Sequence, residues 1–199
     1  SRRVRFDEKD VVPYSPITQH HVGAPGMTLG ELCQAALNYS DNTAGNMLLQ
    51  TLGGPPGLNR YARTLGDDVT HLDRWETALN EATPGDPRDT TTPSAMRANL
   101  QRLVLGDALS QASRDQLKLR LLACRTSDAR LKAKLPSEWR VGDKTGSGGR
   151  GSTNDIGLIW RPDLKPIIVA AYLTNTDASP PERDGTIAAI GGLISEVFS

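Results

Sequence analysis

Cysteine, histidine and unbalanced charge are all scarce in this 199-residue sequence, and each scarcity removes a class of function. Two cysteines, Cys33 and Cys124, cannot make a thiolate metal cluster, and His20, His21 and His71 lack the spacing of a ligand set. No metal and no cofactor is therefore expected. Both thiols read as buried and free, with Cys33 on the apolar face of a helix. The 23 basic residues balance 23 acidic ones, so nothing directs the chain to nucleic acid or an anionic membrane. The longest apolar run, Ile167 to Leu173, is too short to span a bilayer. No signal peptide is legible, so any export signal is expected to have been removed or left out. Repeats and low-complexity tracts are absent as well. What remains, 37% hydrophobic and 23% charged, is the composition of an ordinary globular domain.

Ser1-Arg2-Arg3-Val4-Arg5-Phe6 alternates briefly like an edge strand, and Tyr14-Ser15-Pro16 reads as a turn with an aromatic at its entrance. Thr28 with Glu31 three residues on is a capping box opening a helix striped by Leu29, Leu32, Cys33, Ala36 and Leu37. The period breaks at Ser40-Asp41-Asn42. A second helix carries Met47, Leu48 and Leu49 to Gly53-Gly54. A third, Pro55 to Leu65, turns Leu58, Tyr61, Ala62 and Leu65 to one face. Thr92-Pro93, a cap and a first-turn proline, starts a helix through Met96, Leu100, Leu103 and Val104 to Gly106. Another covers about Ser110 to Ala123, and a short one follows near Asp128. The pattern then changes to three strands joined by tight turns: Trp139 to Gly146, Asp155 to Trp160 and Pro166 to Thr174. A final helix, about Pro181 to Phe198, shows Ile187, Ile190, Ile194 and Val197 on one face. Helices first and strands last predict an α/β chain of the α+β type in one domain. A helical lobe over residues 12–135 would pack against an antiparallel sheet and last helix over 136–199.

Between the third and fourth helices, Asp73 to Asn80, closing at Pro84 to Asp89, has no sustained period. Prolines, a glycine and paired charges mark a compact surface loop, with Arg74 and Asp89 placed to clamp its ends as a bidentate ion pair. Glu76 and Asn80 stand four apart, so one helical turn would set a carboxylate and an amide on one side. That pair can hold and deprotonate a water. The plainer alternative is a helix-terminal acid and a turn-forming Asn, and spacing leaves both open.

Three short motifs lie far apart: Ser40-Asp41-Asn42 at the helix break, Glu76-Thr77-Ala78-Leu79-Asn80 on the loop, and Lys144-Thr145-Gly146 late in a strand. Singly each is weak, since a Ser-Asp-Asn often only caps a helix. In this order they resemble the class A serine β-lactamases. The likeness extends to Tyr14-Ser15-Pro16, Asp73 to Glu76, Pro84 to Pro93, Trp139 to Gly148 and Asn154-Asp155-Ile156-Gly157, which is essentially the whole chain.

Acyl transfer from a strained lactam needs a nucleophile, a proton path, an oxyanion hole and a route for deacylation. The resemblance implies that Glu76, helped by Asn80, activates the deacylating water. It implies that Ser40 passes a proton to the departing lactam nitrogen, and that Lys144 supplies positive potential near Ser40 and the substrate carboxylate. Asn42 would bond the substrate's side-chain amide. Thr145 and Ser147, flanking Gly146, would offer hydroxyls to the carboxylate, with the Ser147 N–H as one oxyanion donor and Tyr14 at the cleft rim. The implied substrates are penicillins and cephalosporins, and the implied enzyme is periplasmic or secreted and monomeric when complete.

Two departures stand out. Many members carry an arginine on the strand after Lys-Thr-Gly to support the carboxylate, and that position here is Thr153. In some members an arginine ahead of the strand takes the role, which Arg130 matches; the alternative for Arg130 is a solvated helix charge. The second departure is larger. The family nucleophile lies in Ser-x-x-Lys, and none occurs in these 199 residues. The chain therefore resembles the C-terminal two-thirds of such an enzyme, without its N-terminal helix and first two strands. Cys33's usual disulfide partner would lie in the absent part. Three readings follow: a portion of a β-lactamase completed by another segment, an inactive truncated fragment, or a penicillin-binding transpeptidase relative. Glu76 argues against the last.

Overall fold

Thr28 begins the first long helix as a complete capping box. Its hydroxyl accepts from the Glu31 N–H at 3.2 Å, and the Glu31 carboxylate accepts from the Thr28 N–H at 2.6 Å. This helix, α1 (Leu29–Tyr39), follows a small antiparallel ribbon of β1 (Arg3–Val4) and β2 (Met27–Thr28). The structure, a computed structural model, describes residues 2–162 and 164–198, so Ser1 of the expected edge strand lies outside it. Leu32 and Ala35 of α1 join Phe6, Met27, Ala44 and Met47 in one core cluster. Cys33 sits at the margin of that stripe and is only half-buried, whereas Cys124 is buried; both are free thiols.

Ser40 ends α1 in the left-handed region at φ 58°, and the chain turns straight into α2 (Asn42–Thr51), capped by the Asp41 carboxylate. Gly53, at φ 89°, separates α2 from α3 (Gly54–Thr64). Leu65 of the expected α3 face is buried, but Tyr61 is exposed. Thr92 and Pro93 open α4 (Pro93–Leu100) as expected, and the turn after it differs: Gln101–Leu105 winds as a π-helix, its end tied by Gly106 N–H to the Gln101 carbonyl at 2.8 Å. Then comes α5 (Gln111–Leu122), capped by Ser110. The short turn expected near Asp128 lies slightly later, as a 3₁₀ turn at Leu131–Lys134.

β3 (Arg140–Ser147), β4 (Thr153–Trp160) and β5 (Ile167–Leu173) form an antiparallel sheet in that order, with β4 central and mostly buried. One face packs on the helical lobe through Leu100, Val104, Leu121 and Leu158. The other packs on α6 (Pro180–Phe198) through Leu131, Ile159, Val169, Ala171 and Ile187. Ile190 and Ile194 follow Ile187 into that contact, but Val197 is 72% exposed. At 100° per residue it lies only about 20° round from Ile190, so its exposure comes from its place in the last turn of α6 and not from its face. The α+β architecture is as the sequence predicted, with the helical lobe against an antiparallel sheet.

Candidate functional site

The helix break, the loop and β3 meet at one cleft between lobe and sheet, with a volume of about 780 Å³. Tyr14, Ser40, Asn42, Glu76, Asn80, Arg130, Lys144, Thr145, Gly146 and Ser147 all line it. Asp41 shapes the first wall. Its buried carboxylate accepts from the N–H groups of Ile17, Thr18 and Ala44 and from the Thr18 hydroxyl, at 2.8–2.9 Å. That fixes the left-handed Ser40 on one side and the start of α2 on the other. Tyr14, itself at φ 60°, is 61% exposed at the rim, and its carbonyl accepts from the Asn42 N–H at 3.1 Å. The Asn42 side-chain N–H₂ donates to the Pro13 carbonyl at 2.9 Å, so its amide oxygen is the atom left for a ligand.

β3 brings Lys144 to the opposite wall, where its Nζ donates to the Ser40 hydroxyl at 2.7 Å. Burial pushes the Lys144 ammonium below the usual lysine range, against the nearby acids Asp155 and Glu76. A hydroxyl held by an amine of lowered proton affinity is a proton relay in the making.

Glu76 is set by a residue that sequence reasoning missed. The Asn46 side chain accepts from the Glu76 N–H at 2.9 Å and donates to the Glu76 carbonyl at 3.1 Å, pinning its backbone at two points. Nothing in the sequence signals it, since its place on the buried side of α2 shows only in the fold. Asn80, on a 3₁₀ turn (Ala78–Asn80), donates its amide to Glu76 Oε2 at 2.5 Å. Burial raises the Glu76 carboxyl above its usual range, opposed by that hydrogen bond and by Lys144. The pair thus shares a side, as a water-holding site requires.

The loop clamp differs from the bidentate pair expected. Arg74 Nε donates to Asp89 Oδ2 at 2.6 Å, while its other arm turns to Glu81. Asp89 has no oxygen to spare: Oδ1 already accepts the N–H groups of Asp73 and Arg74. One guanidinium therefore ties two points of the loop. Arg74 and Asp89 stand outside the cleft, beside a second cavity of about 480 Å³.

The far side of the loop rests on the β3–β4 turn. Gly149 N–H donates to the Asn80 carbonyl at 2.7 Å, and a Cβ there would lie 2.4 Å from the Glu81 carbonyl oxygen. Gly149→Ala is accordingly expected to push the loop off the turn, an overpacking cost of roughly 1–3 kcal/mol. Amide exchange should rise over residues 76–81 and stay unchanged in β4; equal exchange in both would remove this contact from the account.

At the cleft's end, Arg130 is 9% exposed and not a solvated helix charge. Its Nε donates to Asp184 of α6 and its terminal nitrogens to the Gly146 and Asn154 carbonyls, each at 2.8 Å, and to the Ser147 hydroxyl at 2.7 Å. Ser147 accepts from Arg130, so its own O–H is free to donate into the cleft. The Thr145 hydroxyl is bonded to that of Thr126. Thr153, the position for which the resemblance led to an arginine, is buried and offers no charge. Among the described residues no group of three His, Cys, Asp or Glu side chains is placed to hold a metal.

Comparison with known proteins gives the family. The model of the β-lactamase enzyme family matches residues 1–198. β-Lactamase AER-1 of Aeromonas hydrophila is 46% identical over 98% of this chain, and β-lactamase CTX-M-25 of Escherichia coli 47% over 100%. The chain spans 64% of the length of the first and 68% of the second. The solved class A β-lactamase of the last common ancestor of Gram-negative bacteria superposes with a TM-score of 0.97 at 56% identity, over 100% of this chain and 75% of that one. Motifs, fold and relatives converge, and the chain belongs to the class A serine β-lactamase family.

Proposed function

We propose that this chain supplies the deacylating base, proton relay and carboxylate site for hydrolysis of β-lactam antibiotics, and that the acylated serine comes from a Ser-x-x-Lys segment outside these 199 residues. The observation carrying this reading is the meeting of two pairs in one cleft, Lys144 on Ser40 and Asn80 on Glu76. The lactam carboxylate lies at Thr145 and Ser147, in the positive potential of Lys144 and Arg130. The carbonyl oxygen takes the Ser147 N–H as one oxyanion donor, and the Asn42 amide oxygen accepts from the substrate's side-chain amide. After attack, the proton reaches the leaving nitrogen through Ser40. Glu76 then removes a proton from the water it holds with Asn80, and hydroxide opens the acyl ester. Asn46 positions Glu76 for that step. The same reading, on the family resemblance alone, makes the complete enzyme a periplasmic or secreted monomer.

A transpeptidase reading lacks support, because it gives the half-buried Glu76–Asn80 pair no task. An inactive fragment remains the competing reading for the chain by itself. The two make different forecasts. The isolated chain is expected to show no turnover of a chromogenic cephalosporin, and turnover should appear when the Ser-x-x-Lys segment is supplied. Robust hydrolysis by the chain alone, with no second polypeptide in its intact-mass spectrum, would overturn the proposal. Failure of the supplied segment to restore any activity would favour the inactive fragment.

A further inference from the structure

Two carboxyls on β3 and β4 take no part in the chemistry above and are almost wholly buried: Asp143 is 1% exposed and Asp155 0%. Asp155 stands opposite Thr145 in the strand register and Asp143 opposite Gly157, so the aspartates are diagonal neighbours on one face of the sheet. Room for them is kept by Gly157, where a Cβ would lie 2.8 Å from that of Asp143. Lys144, the next residue, projects from the other face into the cleft.

The donors around this pair do not cover its acceptors. Asp155 Oδ2 accepts from the Leu131 N–H at 3.2 Å, but Asp155 Oδ1 and Asp143 Oδ2 are buried without a hydrogen-bond partner. The Ser127 hydroxyl and the Cys124 thiol stand beside Asp143, but neither satisfies Asp143 Oδ2. Two ionised carboxylates here would leave two charged orphan acceptors in a dry interior, an arrangement native proteins avoid. One proton between them removes a charge and turns one carboxyl into the donor the other lacks.

We propose that Asp143 and Asp155 share one proton, so that the pair carries a single negative charge in the sheet behind the Lys144 wall of the cleft. The groups facing the pair fit a net charge of minus one rather than zero. Lys132 and Lys144 face Asp143 together with Cys124 and Ser127, and Arg130 and Lys144 face Asp155. Lys144 is faced in turn by Asp155, Glu76, Cys124 and Arg130. Burial raises Asp143, and burial followed by the Asp143 charge pushes Asp155 up to about 7. Unfolded aspartates ionise near about pH 4, so the folded chain keeps a proton that the unfolded chain has lost. The pair's contribution to stability is therefore complete below about pH 4 and falls away as pH rises to about 7.

Infrared spectra of the chain carrying carbon-13 aspartate test this without any lactam, so the outcome is separate from that of the hydrolase reading. At about pH 6, where ordinary aspartates are ionised, one protonated-carboxyl band is expected. It should vanish in Asp143→Asn or Asp155→Asn, and the decline of stability between about pH 4 and 7 should flatten with it. Absence of the band from the unsubstituted chain, which needs no variant to fold, overturns the shared proton.

Discussion

Glu76→Gln, in the complete enzyme mixed with a penicillin, is expected to gain the antibiotic's mass and hold it. The amide keeps the shape of the carboxyl and its contact with Asn80 but cannot take a proton from water. Loss of a general base costs on the order of 10²–10⁴-fold, and the step that suffers most is deacylation, since Glu76 is the carboxylate that Asn80 holds in the cleft. Acylation should slow less, because Lys144 and Ser40 still carry the leaving-group proton. The pH profile should change with it. Burial raises Glu76 and lowers Lys144, so kcat/KM is expected to fall on the acid side above the usual glutamate range and on the alkaline side below the usual lysine range. Glu76→Gln should lose the acid limb alone. Normal turnover, or no adduct after long incubation, would return Glu76 to a merely structural loop residue.

Arg130→Ala is expected to lower kcat/KM by about 1–3 kcal/mol equivalent, as for a lost charged hydrogen bond. The guanidinium does not need to touch the carboxylate for this. It orients the Ser147 hydroxyl and the Gly146 carbonyl, so its loss frees the end of β3 and leaves Asp184 without its partner. The effect should fall mainly on KM, because the carboxylate is bound before and during reaction alike. Arg130→Lys keeps the charge but not the planar fork, and should recover only part of the loss. Steady-state kinetics of both variants decide the matter; unchanged constants would leave the carboxylate partner unidentified.

What was legible in the sequence was local. The Thr28–Glu31 box, the Thr92-Pro93 start and the period-two strands depend on neighbours within a few residues, and each lies within a residue or two of its expected place. Long-range pairings were not legible from spacing. Lys144 and Ser40 are 104 residues apart, and only the family resemblance put them together. Asn46 on Glu76 and Asp184 on Arg130 carry no pattern at all, since a polar side chain that bonds a distant segment leaves no period behind. The Arg74 clamp shows the same limit: the ion pair with Asp89 was visible, but not that backbone N–H groups occupy Asp89 and turn one arm to Glu81. Val197 and the π-turn after Leu100 are misread for a simpler reason, because an ideal 3.6-residue period was carried to the end of each helix.

The central claim is that this chain builds a β-lactam site whose nucleophile lies elsewhere. Its most direct test is to map the covalent adduct after the chain and a Ser-x-x-Lys segment are mixed with a penicillin, using the Glu76→Gln background to trap it. The account predicts the antibiotic's mass on a peptide of the supplied segment and none on any peptide of these 199 residues. An adduct on Ser40, or on any other residue of the chain, would contradict it.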